Sequence, residues 1–291
     1  MTDDALPGFH PDPSTPRLRL PPGACDAHVH VYGPQSQFPF AADRTFTPGD
    51  APKETLFALH ARLGITRCVV VQSGAHGFDN QVVADALAAK AGAYRGIALV
   101  RPEIADAGLR ALDEQGFCGV RFNYMGHLGR QVPMSEVLAL AGRLADLSWH
   151  LQIHLDPAGL PELAPALLQS PVPVVIDHMA RIPADPGQRH PSFAHLCRLL
   201  DTGRCWVKVS GADRATLQGP PYADAVPMAQ RLVADYPDQV LWGTDWPHPN
   251  HAGPVPDDGE LVNLLAEIAP TLAARQALLV DNPHRLYRFR D

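Results

Sequence analysis

Short apolar runs alternate along the chain with longer segments whose apolar residues recur every three or four positions. The runs cover 25–31, 67–71, 96–100, 119–122, 151–155, 172–176, 206–209 and 240–243. They are rich in Val and Ile. Continuous apolar runs of this length suit strands buried on both faces, as in a parallel sheet. The intervening segments read as helices. In 52–63, Leu56, Leu59 and Leu63 form one stripe, with Pro52 at the start and Gly64 just past the end. In 80–91, Asn80 is a cap residue, Val83 and Leu87 share a face, and Gly92 is the stop. The segments 135–147, 158–168, 193–200, 222–236 and 260–268 behave similarly.

Eight strand-like runs alternating with helices describe an α/β fold of the (β/α)8 TIM-barrel type. A doubly wound open sheet is the rival, because counting strands does not prove closure. Residues 1–22 break the pattern. They hold Pro7, Pro11, Pro13, Pro16, Pro21 and Pro22 with almost no apolar periodicity, and read as an extended N-terminal arm, either packed over the domain or disordered. The expected organisation is an arm over 1–22 and a barrel over 23–291.

Composition narrows the partners. The chain of 291 residues has a net charge of −7 and no dense Lys/Arg run, which argues against nucleic acid and anionic membrane surfaces. No stretch reaches the ~18 uninterrupted apolar residues of a membrane span. The start, Met-Thr-Asp-Asp, lacks an apolar h-region, so no secretory signal is expected. Cys25, Cys68, Cys118, Cys197 and Cys205 are odd in number and form no CxxC pair, so neither a zinc knuckle nor a disulfide framework is expected, and a reduced cytoplasm fits. The sequence leaves a homo-oligomer open. Two counts are high: 30 prolines and 14 histidines.

In a barrel the chemistry lies at the C-terminal ends of the strands. There the sequence reads Asp26-Ala-His28-Val-His30, Gln72-Ser73, Arg121-Phe-Asn123, Gln152-Ile-His154, Asp177-His178 with Arg181, Lys208-Val-Ser210 with Arg214, and Thr244-Asp245-Trp-Pro-His248. Residues i and i+2 of a strand share a face, so His28 and His30 would enter the barrel mouth together. Alone, that pair could equally be two hydrogen-bonded core histidines. Together with His154, His178 and Asp245, each ending a different run, packing is a poor explanation, since His and Asp are rare in buried parallel strands. Asp245 can take a proton from water and return it to a leaving oxygen. The histidines, or a metal they hold, would polarise a carbonyl. Arg121, Arg181 and Arg214 have forks suited to carboxylates, with surface or interhelix ion pairs as the bland alternative. Lys208 reads as a buried ion-pair partner rather than a Schiff-base lysine. His76, His127 and His248 are loop candidates for substrate contact. His60, His150, His190, His195, His251 and His284 are assigned to helices or loops. There is no G-x-S-x-G elbow, P-loop or G-x-G-x-x-G turn.

These motifs, in order, resemble the amidohydrolase superfamily, and most closely its 2-pyrone-4,6-dicarboxylate lactonase-like branch. The residues that carry the resemblance are the His28-Val-His30 run, Gly119-Val-Arg121-Phe-Asn123, Asp177-His178-Met-Ala-Arg181, Gly243-Thr-Asp245-Trp-Pro-His248-Pro-Asn250 and Asn282-Pro-His-Arg-Leu-Tyr287. The resemblance implies a (β/α)8 barrel and a cytoplasmic hydrolase of carbon catabolism. Such an enzyme opens a small carboxylated lactone, 2-pyrone-4,6-dicarboxylate-like or a sugar-acid lactone. His28, His30 and His178 would polarise the lactone carbonyl and Asp245 would activate water. Arg121, Arg181, Arg214, Ser73, Asn123, His127, His154 and His248 would contact substrate. Three positions depart from the branch: His127 replaces an arginine, Phe46 a tyrosine, and His154 a tyrosine ending the fifth strand. With His154, the superfamily's mononuclear ligand set of His28, His30, His154, His178 and Asp245 is formally complete, and zinc or manganese would suit it. Because arginines beside the site repel a cation, a metal-free site with no cofactor is the expectation. The alternatives are a lactone isomerase or metal-dependent decarboxylase of the same superfamily, or a non-enzymatic protein that binds a carboxylate ligand.

Overall fold

The computed structural model describes residues 8–126, 131–251 and 253–290. Eight strands form one sheet in sequential, parallel order: β1 (Cys25–Val29), β2 (Arg67–Val71), β3 (Tyr94–Ala98), β4 (Phe117–Tyr124), β5 (His150–Leu155), β6 (Val174–Ile176), β7 (Cys205–Lys208) and β8 (Val240–Leu241). Each of the eight apolar runs yields one of them. The sheet curls until its ends meet. Ala27 N–H donates to the Trp242 carbonyl at 2.8 Å, Asp245 N–H to that of His28 at 2.9 Å, and His30 N–H to that of Trp246 at 2.7 Å. Gly243 makes this approach feasible, since a Cβ there would lie 2.5 Å from the His28 nitrogen. The chain is a (β/α)8 barrel, and the open sheet is excluded.

Helices cover the outside: α1 (Lys53–Leu63), α2 (Gln81–Ala88), α3 (Asp106–Glu114), α4 (Met134–Leu144), α5 (Leu160–Leu167), α6 (Pro191–Leu200), the single turn α7 (Ala212–Ala215), α8 (Val226–Asp235), α9 (Asp258–Ile268), α10 (Leu272–Gln276) and α11 (Asn282–Tyr287). Pro52 precedes α1, and Gly64 ends it in the left-handed region at φ 78°. Asn80 stands before α2 but does not cap it. Its side chain brackets Leu99 instead, accepting from the Leu99 N–H at 3.1 Å and donating to its carbonyl at 2.9 Å, which ties α2 to the chain beyond β3. His150, expected on a helix or loop, opens β5 and is buried.

Two register shifts aim the site. β1 carries one between Asp26 and Val29, and the β3–β4 pairing carries another between Gly96 and Ile97. An extra residue flips which parity faces inward. Cys25 and Ala27 therefore join the apolar floor inside the barrel, and above the shift His28 and His30 face the centre of the barrel. The floor is closed by Leu286, Tyr287 and Phe289 at the end of the chain.

Residues 8–22 contain no helix or strand and run along the barrel. The Asp257 carboxylate, at the start of α9, accepts from the N–H and hydroxyl of Ser14, and Asn263 accepts from the N–H groups of Arg17 and Leu18. The Phe9 ring packs on that of Trp246, 5.3 Å between centroids, immediately after Asp245. Among the described residues no helix is long and apolar enough to cross a membrane.

Candidate active site

At the C-terminal ends of the strands the side chains of β1, β6 and the segment after β8 meet on one atom. Asp245 Oδ1 lies 3.7 Å from His28 Nε2, 3.6 Å from His30 Nε2 and 3.7 Å from His178 Nε2. The other oxygen, Oδ2, accepts from Arg214 Nε at 3.2 Å and Nη2 at 2.9 Å. Burial alone would raise the Asp245 carboxyl. The charges of His178 and Arg214 outweigh it and hold the carboxyl well below its usual range. His178 is itself pushed down to about 4, chiefly by burial. Arg214 is therefore the cation that persists at neutral pH.

Each imidazole is fixed by its far nitrogen. His30 Nδ1 lies 2.7 Å from the Val71 carbonyl, and His178 Nδ1 2.9 Å from Ser210 Oγ. His28 Nδ1 faces Lys208 Nζ at 3.1 Å and Asp177 Oδ1 at 3.3 Å. His154 Nδ1 meets Asn123 Oδ1 at 3.2 Å. The Nε2 atoms of His28 and His154 are buried with no hydrogen-bond partner among the described residues. Burial first, then the charge of Lys208 for His28 and of Arg121 for His154, pushes both well below the ordinary range, so both are neutral at pH 7.

His178 to Arg181 form a left-handed turn without a glycine, with φ of 47°, 52°, 56° and 56° in sequence. Such a conformation costs about 1–2 kcal/mol per residue, and strain of this kind gathers where a side chain must be aimed. Here it turns both His178 and Arg181 into the cavity. Gly211, itself at φ 80°, leaves room for the turn, because a Cβ there would lie 3.0 Å from that of His178.

The cavity holds about 180 Å³, and its wall includes His30, Ser73, Arg121, Asn123, His154, His178, Arg181, Arg214 and Asp245. Ser73 also accepts from the Tyr32 hydroxyl at 3.0 Å. Arg121 is held by Asp177 through Nε at 3.0 Å, and its terminal nitrogens make no hydrogen bond among the described residues. Arg181 lines the cavity with no ion pair or hydrogen bond among them. His248, read as a substrate contact, does not reach the cavity. Its ring is buried beside Asp258, 3.1 Å from Nε2, and faces Asp213 at 3.9 Å. Burial opposes its charge, but these carboxylates raise its pKa. His76 stacks on Tyr32 and is not part of the cavity wall. His127 lies outside the described residues.

The cavity wall also includes Thr45, Gly74 and Met125, which carried no signal in the sequence pattern, and Asn250, which appeared only within the motif that ends the barrel. Nor was there a signal for the role of Asp177, which gathers Arg121, Gln152 (3.1 Å) and Lys208 (3.4 Å) beneath the rim.

The amidohydrolase family profile matches residues 25–289. The chain belongs to the amidohydrolase family. This amidohydrolase is 44% identical over 288 residues to a 2-pyrone-4,6-dicarboxylate hydrolase of Comamonas testosteroni, an alignment covering 96% of this chain and 94% of that one. It is 37% identical over 274 residues to a 4-sulfomuconolactone hydrolase of Hydrogenophaga intermedia, covering 93% and 90%. A crystal structure from Acinetobacter baumannii, named as a candidate 2-pyrone-4,6-dicarboxylic acid hydrolase and holding citric acid, superposes with a TM-score of 0.81 at 25% identity. It covers 92% of this chain and all of that one.

His28, His178 and Asp245 offer ligand atoms within 4.8 Å of one another, which raises the question of a metal. The donor set fits one poorly. Arg214 already occupies Asp245 Oδ2, and the Lys208 ammonium faces the Nδ1 of His28, where a metal-binding imidazole needs an acceptor.

Proposed function

We propose that this amidohydrolase opens a small anionic lactone by water attack and needs no resident metal. One observation carries the reading: a single oxygen of a charged, buried carboxylate is ringed by three imidazole nitrogens, beside Arg181, which has no ion pair or hydrogen bond among the described residues. The lactone carbonyl would lie against the imidazoles, with the substrate's carboxylates toward Arg181 and the free end of Arg121. Asp245 Oδ1 takes a proton as the water oxygen bonds to the carbonyl carbon. The imidazoles stabilise the oxyanion in a buried site, where such contacts are strong. The ring C–O bond then breaks, and the proton passes from Asp245 to the departing oxygen. The balance is one lactone and one water to one hydroxy acid, or its keto form. The names of the relatives, both hydrolases of anionic lactones, support the same substrate class.

The test is a panel of carboxylated lactones, 2-pyrone-4,6-dicarboxylate and sugar-acid lactones included, read by product mass. Ring opening adds one water and releases acid. An isomer of unchanged mass, release of carbon dioxide, or tight binding with no turnover would each reject hydrolysis.

A further inference from the structure

The His-x-His pair is held by opposite kinds of neighbour. His30 Nδ1 lies 2.7 Å from the Val71 carbonyl, which only accepts. That nitrogen therefore carries a proton, and a neutral His30 turns the lone pair of Nε2 to the site. His28 is the reverse. Its Nδ1 lies 3.1 Å from Lys208 Nζ, and an ammonium only donates. Asp177 Oδ1 lies farther from the same nitrogen, at 3.3 Å, and itself faces the Lys208 ammonium at 3.4 Å. Lys208 is fully buried, and Gln152 Oε1 takes a second of its protons at 2.8 Å. Gln152 in turn donates to Asp177 at 3.1 Å, so the ammonium cannot turn away without breaking a closed network.

We infer that Lys208 is a positioning residue that locks His28 in the Nε2–H tautomer, so that His28 presents a proton to the site while its neighbour His30 presents a lone pair. Resting on the hydrolytic reading, this divides the work. His28 donates to the lactone carbonyl oxygen. His30, 3.6 Å from Asp245 Oδ1, accepts from the attacking water alongside the carboxylate. His30 then has no part in polarising the carbonyl, which falls to the imidazoles that present a proton. A protonated Nε2 also has no lone pair for a metal.

The tautomers are read directly by 15N–1H correlation NMR of the full chain labelled with 15N-histidine. His28 and His30 are identified by the signals lost in His28→Gln and His30→Gln. The expected result is a protonated Nε2 and bare Nδ1 for His28, and the opposite for His30. A protonated Nδ1 on His28 overturns the proposal. In Lys208→Met, His28 should switch to Nδ1–H facing Asp177, and kcat should fall about a hundredfold with KM little changed. The same loss without a switch would make Lys208 merely structural and overturn the assignment. If that variant does not fold, the wild-type spectrum still decides. The spectrum needs no substrate, so a failed lactone assay counts against the hydrolytic reading and not against the tautomer.

Discussion

Arg214 donates through two nitrogens to one oxygen of Asp245 and leaves the other to the imidazoles. The pair divides the carboxylate into a charged anchor and a reactive edge. Asp245→Asn should therefore lower kcat by about 10²–10⁴-fold with the circular dichroism spectrum unchanged. Arg214→Met should leave Asp245 to the burial that raises its pKa. The acid limb of the kcat/KM–pH profile then moves to higher pH, and an unmoved limb would show that Arg214 does not hold the carboxylate charged.

Arg181 has no partner to lose within the described residues, so its removal disturbs binding and little else. Arg181→Met is expected to raise KM roughly 10- to 100-fold, the worth of a charged hydrogen bond, with kcat nearly kept. A methyl-esterified substrate should be handled equally by wild type and variant. A variant with unchanged KM for the free acid would remove Arg181 from the binding site.

Acid should unfold this barrel early. Burial holds His178 at about 4 and His150 at about 3 in the folded chain, and pushes His28 and His154 well down. The unfolded chain takes up these protons near pH 6.5. Stability is thus full above that pH and is lost as pH falls through 6.5 toward the folded values. His248, with its raised pKa, works in the opposite sense as a single group against four. Thermal melts at pH 7.5, 6.0 and 5.0 should show Tm dropping steeply below 6.5. A flat Tm over that range would mean these imidazoles are charged in the native state.

Metal content offers an independent check. Protein purified without chelator should contain far less than one zinc or manganese per chain by plasma emission, and activity should survive dialysis against EDTA. Stoichiometric metal whose removal abolishes turnover would reject the metal-free reading.

The strand ends were legible because a parallel barrel forces long apolar runs to finish in the few polar residues that face the mouth. His28, His30, His154, His178 and Asp245 were all found that way. What lies below the rim was legible only in part. Lys208 reads from the sequence as a buried ion-pair partner, and it pairs with Asp177 at 3.4 Å, but nothing in the sequence reveals that Gln152 and Asp177 share its layer of the barrel. The left-handed turn at His178–Arg181 contains no glycine to announce it. His248 follows Asp245 by three residues, but the direction of a loop is set by tertiary partners, here Asp213 and Asp258. The side chain of Asn80 likewise found a better acceptor and donor in Leu99 than in its own helix.

The hydrogen bonds that join β1 to the segment after β8 link residues at opposite ends of synthesis. Thr244, for example, donates to Asp26, 218 positions earlier. A nascent chain on the ribosome therefore carries its three imidazoles long before it has the carboxylate they surround. Seven strands give a partial wall and no chemistry. The site is assembled only when the last strand meets the first, so any activity would report closure of the barrel rather than the folding of one part of it.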